Sequence, residues 1–299
     1  MCAAAQDAHP AQRLLHIERH ICRRQCAFCA APQHIRMIKF IASDLDGTLL
    51  PPTKIMPEET FGYIRKLKKT GVTFAPASGR QLPNLKKLFA PVLDDIAIIA
   101  ENGGLAWADG KIIFSDPTPA EDVKHALDVI ADCEGLYPLL SCADCAYYSS
   151  GFEPFVTVLN KSYSAAMRVD DLKAVADSQV VLKISVWDSL PCAEHGGVML
   201  PPLLEGMRAM ISGYDWMDVS APHANKGRAF EALLRYLGVD AAESVAFGDH
   251  MNDYEMLCAA GRAYVTANAF PALKAKIGEE IGSNRENSVI KKIGELMQL

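Results

Sequence analysis

The pattern of apolar and polar positions between residues 37 and 114 predicts strands that alternate with helices. Short apolar runs at 37–42, 72–75 and 96–100 have the length of buried strands, and the segments 57–70 and 82–89 between them place apolar residues on one helical face. Strands that alternate with helices build a parallel sheet with right-handed crossovers. The sequence therefore predicts an α/β fold with a Rossmann-like, doubly wound parallel sheet.

The pattern changes at about residue 116. From Thr118 the sequence has the spacing of a capping box, which predicts a helix start; a strand is predicted at 180–187 and a second helix near 203–211. The parallel-sheet pattern then resumes at 216–219. The predicted domains are a core made of residues 37–115 and 215–299 and an inserted α+β cap at residues 116–214.

The composition of the chain argues against some classes of binding partner. The net charge of −6 and pI of about 5.8 argue against general binding to nucleic acid or to a membrane surface. The longest apolar runs are too short to cross a bilayer. The nine cysteines follow no framework spacing, and no apolar segment of signal-peptide type precedes them, so we expect free thiols in a reducing cytoplasm.

Residues 1–36 differ from the rest of the chain, being rich in Cys, His and Arg and poor in acids. Cys22, Cys26 and Cys29 have a C-x3-C-x2-C spacing that resembles the iron-sulfur signature of radical S-adenosylmethionine enzymes. Such a cluster needs a barrel around it, and the strand and helix pattern that follows has its own carboxylate centre. We therefore favour a disordered extension ahead of a natural start at Met37.

Four further potential metal ligands lie in the predicted cap. Cys142 and Cys145 form one C-x2-C pair, and Cys192 and His195 form a C-x2-H pair, which together would suffice for zinc. The long separation between the pairs and the absence of flanking knuckle turns favour ordinary thiols instead.

Two carboxylates end the first predicted strand. Asp44 and Asp46 stand one residue apart, and Gly47 after them lets the backbone turn away sharply. In an open α/β sheet the carboxyl ends of the strands are where ligands bind. Adjacent carboxylates repel each other unless a cation relieves them, which indicates a hard metal ion with oxygen ligands. The alternative is a surface turn after an edge strand.

Reactive groups follow three other predicted strands. They are Ser78, the segment that carries Lys226, and the pair Asp249 and Asp253. These residue types suit phosphoryl transfer. A carboxylate can act as the nucleophile, a hydroxyl and an ammonium can bind the phosphoryl oxygens, and further carboxylates can bind Mg²⁺. Each has an ordinary alternative: Ser78 as a helix cap, Lys226 on a solvated face, Asp249 in a turn. Their joint occurrence at strand ends is hard to assign to chance.

The motifs D-L-D-G-T-L, A-S-G-R, N-K-G and G-D-x-x-N-D occur in the order typical of the haloacid dehalogenase superfamily. The chain resembles that superfamily over residues 37–299, and the insertion resembles the α/β cap of its Cof-like sugar-phosphatase branch. His250 departs from the pattern, since a Gly is usual there.

The resemblance implies a role for each motif residue. Asp44 would attack phosphorus and form an aspartyl-phosphate, while Asp46 would act as general acid and base. The implied substrate-binding residues are Thr48, Ser78, Gly79, Lys226 and Asn252, and the implied Mg²⁺ ligands are Asp44, Asp46, Asp249 and Asp253. Ser78 and Lys226 would also be catalytic, through contacts to the transferring phosphoryl oxygens, and Thr48 would orient the Asp44 loop.

We therefore expect a Mg²⁺-dependent phosphatase that acts on small phosphorylated metabolites, most simply sugar phosphates. A phosphomutase that uses the same aspartyl-phosphate and a catalytically silent binding module are the alternatives. Substrate recognition is predicted to come from cap residues such as Tyr147 and Tyr148. The sequence does not indicate the oligomeric state.

Overall fold

The first apolar run forms a buried strand in the middle of a parallel sheet. The computed structural model describes residues 37–299. Its strands and helices, in chain order, are β1 (Phe40–Ser43), α1 (Glu58–Lys69), β2 (Thr73–Pro76), α2 (Leu82–Leu88), β3 (Ile98–Ala100), β4 (Leu105–Ala108), β5 (Lys111–Ser115), α3 (Ala120–Ala131), β6 (Leu136–Cys142), β7 (Ala146–Tyr148), α4 (Glu153–Ser162), β8 (Ala166–Arg168), α5 (Leu172–Ser178), β9 (Val181–Asp188), α6 (Gly196–Met199), β10 (Arg208–Ile211), β11 (Trp216–Ser220), α7 (Lys226–Leu237), β12 (Ser244–Gly248), α8 (Tyr254–Ala259), β13 (Arg262–Thr266), α9 (Pro271–Ile277), β14 (Glu280–Ile281) and α10 (Ser288–Met297).

The central sheet has the order β14-β13-β12-β1-β2, and all its neighbouring strands are parallel. Single bridges from Phe74 to Ile96 and from Ala77 to Ile99 continue it towards the antiparallel strands β3, β4 and β5. All four residues of β1 are buried because helices cover both faces, as is typical of parallel sheets. The predicted α/β class is confirmed.

A second, six-stranded sheet is formed by the inserted residues. Its order is β10-β11-β9-β6-β7-β8, antiparallel except between β7 and β8. Helices α3 and α5 pack against one face around a core that includes Val123, Leu127 and Val175. The sequence pattern of this segment is mixed because its strands are buried to different extents on their two faces.

Two predictions in this region are wrong. The segment predicted as a helix near 203–211 ends in strand β10: a 3-10 helix stops at Leu203, Gly206 adopts a left-handed φ of 86°, and the chain then pairs with β11. The run 216–219, predicted to resume the parallel sheet, forms β11 and pairs with β9 in the second sheet. The second sheet thus extends to Ser220.

The capping box predicted at Thr118 is also absent. Helix α3 begins at Ala120 without a side-chain cap. The Thr118 hydroxyl instead donates to the Leu182 carbonyl (3.2 Å) and accepts from the Ala221 N–H (3.1 Å). Thr118 therefore joins the segment that enters the second sheet to the segment that leaves it.

Residues 38–299 form one compact unit, and the division into a core and a cap stays a prediction. None of the helices described between residues 37 and 299 is long and apolar enough to span a membrane. The cytoplasmic location stays a prediction. The Cys22, Cys26 and Cys29 spacing and the predicted extension lie outside the described residues.

Candidate active site

The turn after β1 presents Asp44 at the carboxyl end of the sheet. The Asp44 N–H donates to the Phe247 carbonyl of the neighbouring strand β12 (2.9 Å), which anchors the turn beside the end of that strand. Gly47 has a φ of +91°, and a Cβ there would lie 2.2 Å from Oδ2 of Asp249. Only glycine therefore allows the two loops to approach this closely.

The loop after β12 supplies the second pair of carboxylates. Asp253 is fully buried, and its Oδ2 accepts the N–H groups of Asp249 (2.9 Å) and His250 (3.1 Å). Asp249 Oδ1 accepts the Thr48 hydroxyl at 2.9 Å. Asp253 thus braces its own loop, while Thr48 ties Asp249 to the loop that follows β1.

Lys226, the first residue of α7, lies between two of these carboxylates. Asn225 caps the helix by accepting the Arg228 N–H, and the Lys226 Nζ donates to Oδ1 of Asp44 and Oδ1 of Asp253, each at 2.6 Å. Burial acts to lower the pKa of Lys226, but the charges of Asp253 and Asp44 outweigh it and raise the pKa above its ordinary value. The lysine is therefore a fixed positive charge.

Asp44, Asp249 and Asp253 each offer an oxygen, and these oxygens lie within 4.8 Å of one another. Burial raises the pKa of Asp249 to about 6 and that of Asp44 well above its usual range, the latter against the opposing charge of Lys226. Three carboxylates face one ammonium, so the centre is short of positive charge. A hard divalent cation with oxygen ligands, such as Mg²⁺, fits this donor set.

The loop after β2 supplies the remaining polar groups. Ser78 is buried, and its Oγ accepts the Arg80 N–H at 3.2 Å. The Arg80 guanidinium binds the Asp46 carboxylate through two hydrogen bonds of 2.8 and 2.7 Å. The sequence analysis assigned no role to Arg80, although the A-S-G-R motif contains it. These two hydrogen bonds orient the Asp46 carboxylate towards the space in front of Asp44.

Asn252 reaches the same loops through an amide contact. Its Nδ2 donates to Oδ1 of Asn102 at 3.0 Å. Asn102 has a left-handed backbone (φ +54°), and a Cβ at Gly79 would lie 2.9 Å from its Nδ2. The glycine of the A-S-G-R motif is therefore required for packing against Asn102.

A cleft of about 680 Å³ lies in front of these groups. Its lining from the loops after β1, β2 and β12 includes Asp44, Asp46, Ser78, Gly79, Arg80, Asp249 and Asn252; its lining from the six-stranded sheet and the end of α4 includes Lys161, Tyr163, Lys183, Trp216 and Asp218. The structure thus gathers the predicted residues at one cleft, with Thr48, Lys226 and Asp253 directly behind its wall.

The sequence matches the family described as haloacid dehalogenase-like hydrolase over residues 41–293. The chain belongs to this family. It is 30% identical to a curated HMP-PP phosphatase of Cronobacter sakazakii over 246 residues, which are 81% of this chain and 88% of the relative. It is 28% identical to the 5-amino-6-(5-phospho-D-ribitylamino)uracil phosphatase YbjI of Escherichia coli over 87% of this chain and 97% of the relative.

Solved structures of the haloacid dehalogenase-like fold superimpose on the chain. A structure from Eubacterium rectale, 26% identical, gives a TM-score of 0.77 and covers 87% of this chain and 99% of its own. A subclass IIB sugar phosphatase of the superfamily, 20% identical, shares the fold with a TM-score of 0.73. The chain is a phosphatase of the haloacid dehalogenase type, as the sequence motifs predict.

In this phosphatase the two predicted cap tyrosines lie away from the cleft. Tyr147 packs against the apolar core under α3 and α5, and the Tyr148 ring contacts Phe155 at 6.0 Å between centroids. Neither is among the described residues that line the cleft. The prediction that they read the substrate is therefore wrong; Tyr163 and Trp216 face the cleft instead. Strand periodicity shows which residues share a face but not which face meets the core.

The possible zinc ligands of the predicted cap are not brought together. His195 Nδ1 contacts Asp188 Oδ1 at 2.8 Å, and Cys142 and Cys192 are buried thiols. Over residues 37–299, the one group of three or more His, Cys, Asp or Glu side chains with converging ligand atoms is the aspartate cluster at the cleft. That the cysteines of this set are ordinary thiols stays a prediction.

Proposed function

We propose that the chain hydrolyses small phosphorylated metabolites, most simply sugar phosphates, through an aspartyl-phosphate on Asp44 and with Mg²⁺. The observation that carries this proposal is the convergence of Asp44, Asp249, Asp253 and Lys226 at the floor of the cleft. The curated relatives, by name, act on HMP-PP and on a phosphoribitylaminouracil, and both compounds are small phosphorylated metabolites.

Asp44 is the proposed nucleophile. One carboxylate oxygen attacks phosphorus as the bond to the leaving oxygen breaks, and hydrolysis of the resulting acyl phosphate by water releases phosphate and restores Asp44. Lys226, held at 2.6 Å from Asp44, keeps the attacking group oriented and offsets charge that moves onto the phosphoryl oxygens. The Ser78 hydroxyl and the Gly79 amide would contact the same oxygens.

Asp46 is the proposed general acid and base. It would give a proton to the leaving oxygen in the first step and take a proton from the attacking water in the second. Arg80 holds the Asp46 carboxylate on the cleft side through its two hydrogen bonds.

Mg²⁺ would be held by Asp44, the Asp46 backbone carbonyl and Asp249. When bound, it supplies positive charge that lowers the repulsion between Asp44 and the phosphoryl oxygens. Asp253 braces the loop that carries Asp249, and Thr48 holds Asp249 by its hydrogen bond. Thr48 is assigned to this positioning task because its hydroxyl group donates a hydrogen bond to Asp249.

A panel of phosphorylated metabolites and one aryl phosphate tests the proposal by phosphate release. We expect turnover with Mg²⁺, none after chelation by EDTA, and recovery when Mg²⁺ is restored. A mock purification from cells that lack the gene serves as the blank, since any phosphate it releases comes from contaminants. Turnover that survives chelation would contradict the metal requirement, and the absence of turnover on the whole panel would contradict the proposed substrate class.

A further inference from the structure

A second buried ion pair lies where the six-stranded sheet meets the cleft. Lys183 on β9 and Asp218 on β11 are 3% and 6% exposed, and Nζ of the lysine lies 2.9 Å from Oδ2 of the aspartate. Ser185, directly opposite Asp218 in the strand register, donates its hydroxyl to Oδ1 of Asp218 at 2.8 Å. The pair is therefore held in one geometry by its own sheet.

Lys183 also contacts the loop that follows β2. Its Nζ donates to the carbonyl oxygen of Gly79 at 2.8 Å and forms an ion pair with Oε2 of Glu101 at 3.2 Å. Gly79 follows Ser78, the proposed ligand of the phosphoryl group. Two hydrogen bonds and one ion pair within this chain therefore hold the Lys183 ammonium in place.

Asp218 reaches the loop that follows β12. Its Oδ2 accepts the Asn102 Nδ2 at 2.7 Å, and Asn102 Oδ1 in turn accepts the Asn252 Nδ2 at 3.0 Å. Asn252 stands between Asp249 and Asp253 in sequence. The ion pair thus contacts the proposed phosphoryl-binding loop directly and the proposed metal-binding loop through one amide.

The backbone between these contacts is strained. Glu101 and Asn102 both have left-handed backbones, with φ of 52° and 54°. Non-glycine residues persist in this conformation where the surroundings determine it strongly. The left-handed turn aims Glu101 at Lys183 and Asn102 at Asp218. Replacing a buried ion pair by an apolar pair of similar volume is often neutral or stabilising. We therefore expect this pair to fix the geometry of its neighbours more than to stabilise the fold.

We propose that Lys183 and Asp218 are positioning residues, which hold the Ser78-Gly79 loop and the Asn252 loop in register for phosphoryl transfer when the second sheet lies against the core. This inference rests on the proposed function, because the loops matter to catalysis only if they bind the phosphoryl group and the metal. In this proposal the second sheet helps to assemble the active site and also covers it.

The test compares Lys183→Met with Lys173→Met, a matched control that removes an exposed ammonium of α5, where Lys173 pairs with Asp128 outside the cleft lining. For Lys183→Met we expect kcat to fall about 10- to 100-fold on an aryl phosphate and on a metabolite alike, as small misplacements cause, with KM changed about threefold or less. Lys173→Met should retain most of the wild-type kcat. Asp218→Asn keeps the shape of the side chain and replaces Lys183→Met if that variant does not fold.

Amide hydrogen exchange gives a readout that does not depend on activity. Exchange at residues 78–80 and 249–253 should accelerate in Lys183→Met and stay unchanged in Lys173→Met. Equal kcat in the two variants, or a loss confined to the metabolite, would overturn the inference, as would unchanged exchange in both loops. A wild-type enzyme inactive on every ester would contradict the proposed function instead, and the exchange comparison would still decide whether the pair holds the loops.

Discussion

Lys226 and Lys183 are both buried, yet the two lysines stand in different electrostatic surroundings. Lys226 faces Asp44 and Asp253, with Asp249 close by, so negative charge exceeds positive charge at the cleft floor. Lys183 faces Asp218 and Glu101. Burial raises the pKa of Glu101 to about 7 against the charge of Lys183, so this carboxyl is partly neutral near pH 7 and the second cluster is close to balance.

The difference teaches how to distinguish a chemical centre from a positioning contact. Uncompensated carboxylates are costly when buried, and they persist here beside a cleft that a cation and a charged substrate can enter. The Lys183 cluster is close to charge balance, and its ammonium is held by groups of this chain from two sides, which suits a positioning contact. Variants that change one cluster and spare the other should therefore have different effects.

The largest effect is expected for Asp44→Asn. The amide cannot form the aspartyl-phosphate, so kcat should fall on the order of 10³-fold or more, as is typical of a member of a catalytic unit. The side chain keeps its shape, and the melting temperature should stay close to that of the wild type. Steady-state phosphate release measures the loss. Retention of more than a few per cent of turnover would contradict the covalent route.

Lys226→Met should have the next largest effect. Removal of the ammonium leaves Asp44 and Asp253 without their shared partner and removes charge stabilisation from the phosphoryl oxygens, so kcat should fall about 10²- to 10³-fold. Lys39→Met is the matched control, because Lys39 is exposed and pairs with Glu243 away from the cleft.

The comparison with Lys183→Met is informative here. If the loss in Lys226→Met were no larger than in Lys183→Met, the distinction between the two clusters would fail.

Trp216→Ala is expected to lower turnover selectively. The Trp216 ring on β11 and the Tyr163 ring, which follows α4, are 5.9 Å apart and both line the cleft, where we expect them to contact the leaving group. Contacts remote from phosphorus help to organise the transition state, so kcat/KM for the metabolite should fall about 10-fold, and that for an aryl phosphate less. Tyr214→Ala, at a residue 79% exposed and outside the cleft lining, is the control. Equal losses on both substrates would show that Trp216 does not set specificity.

The smallest effect concerns stability and pH at Glu101. Because its pKa is raised from 4.5 to about 7 in the folded protein, the folded state keeps a proton that the unfolded chain has lost between these values. Stability from this group is thus fully present below pH 4.5 and is lost as the pH rises through 7. Relative to Glu101→Gln, the wild type should lose about 2 kcal/mol of unfolding free energy between pH 5 and pH 8.

Urea unfolding of both proteins in EDTA at the two pH values measures this difference. The comparison cancels the titration of other groups, including Asp249. A difference between wild type and variant that stays constant from pH 5 to pH 8 would show that Glu101 titrates normally.

The core could be predicted from the sequence because its signals are local. Apolar runs of strand length end in Asp44, Ser78 and Asp249, and helix α7 opens at Lys226 after an Asn cap. The parallel topology then places distant residues at one edge of the sheet. The contact between Lys226 and Asp44, 182 positions apart, follows from this rule and not from sequence proximity.

The second sheet was predicted less well because its partners are not local. Strand β11 has the same apolar pattern whether it pairs with β9 or with a core strand, so periodicity could not assign it to a sheet. Lys183 offered one unused signal, since a lysine inside the apolar run of β9 must be paired if that run is buried. Its partners Asp218 and Glu101 carry no motif that would identify them.

The hydrogen bonds of Thr118 have a mechanical consequence. The chain crosses between the two sheets twice, and the Thr118 hydroxyl fastens one crossing to the other through the Ala221 N–H. Pro117 and Pro222 flank these two residues on the core side, and each proline stiffens its crossing by fixing its own φ. The two crossings therefore act as a single joint. A movement of one sheet relative to the other would have to turn both crossings together or break this hydrogen bond.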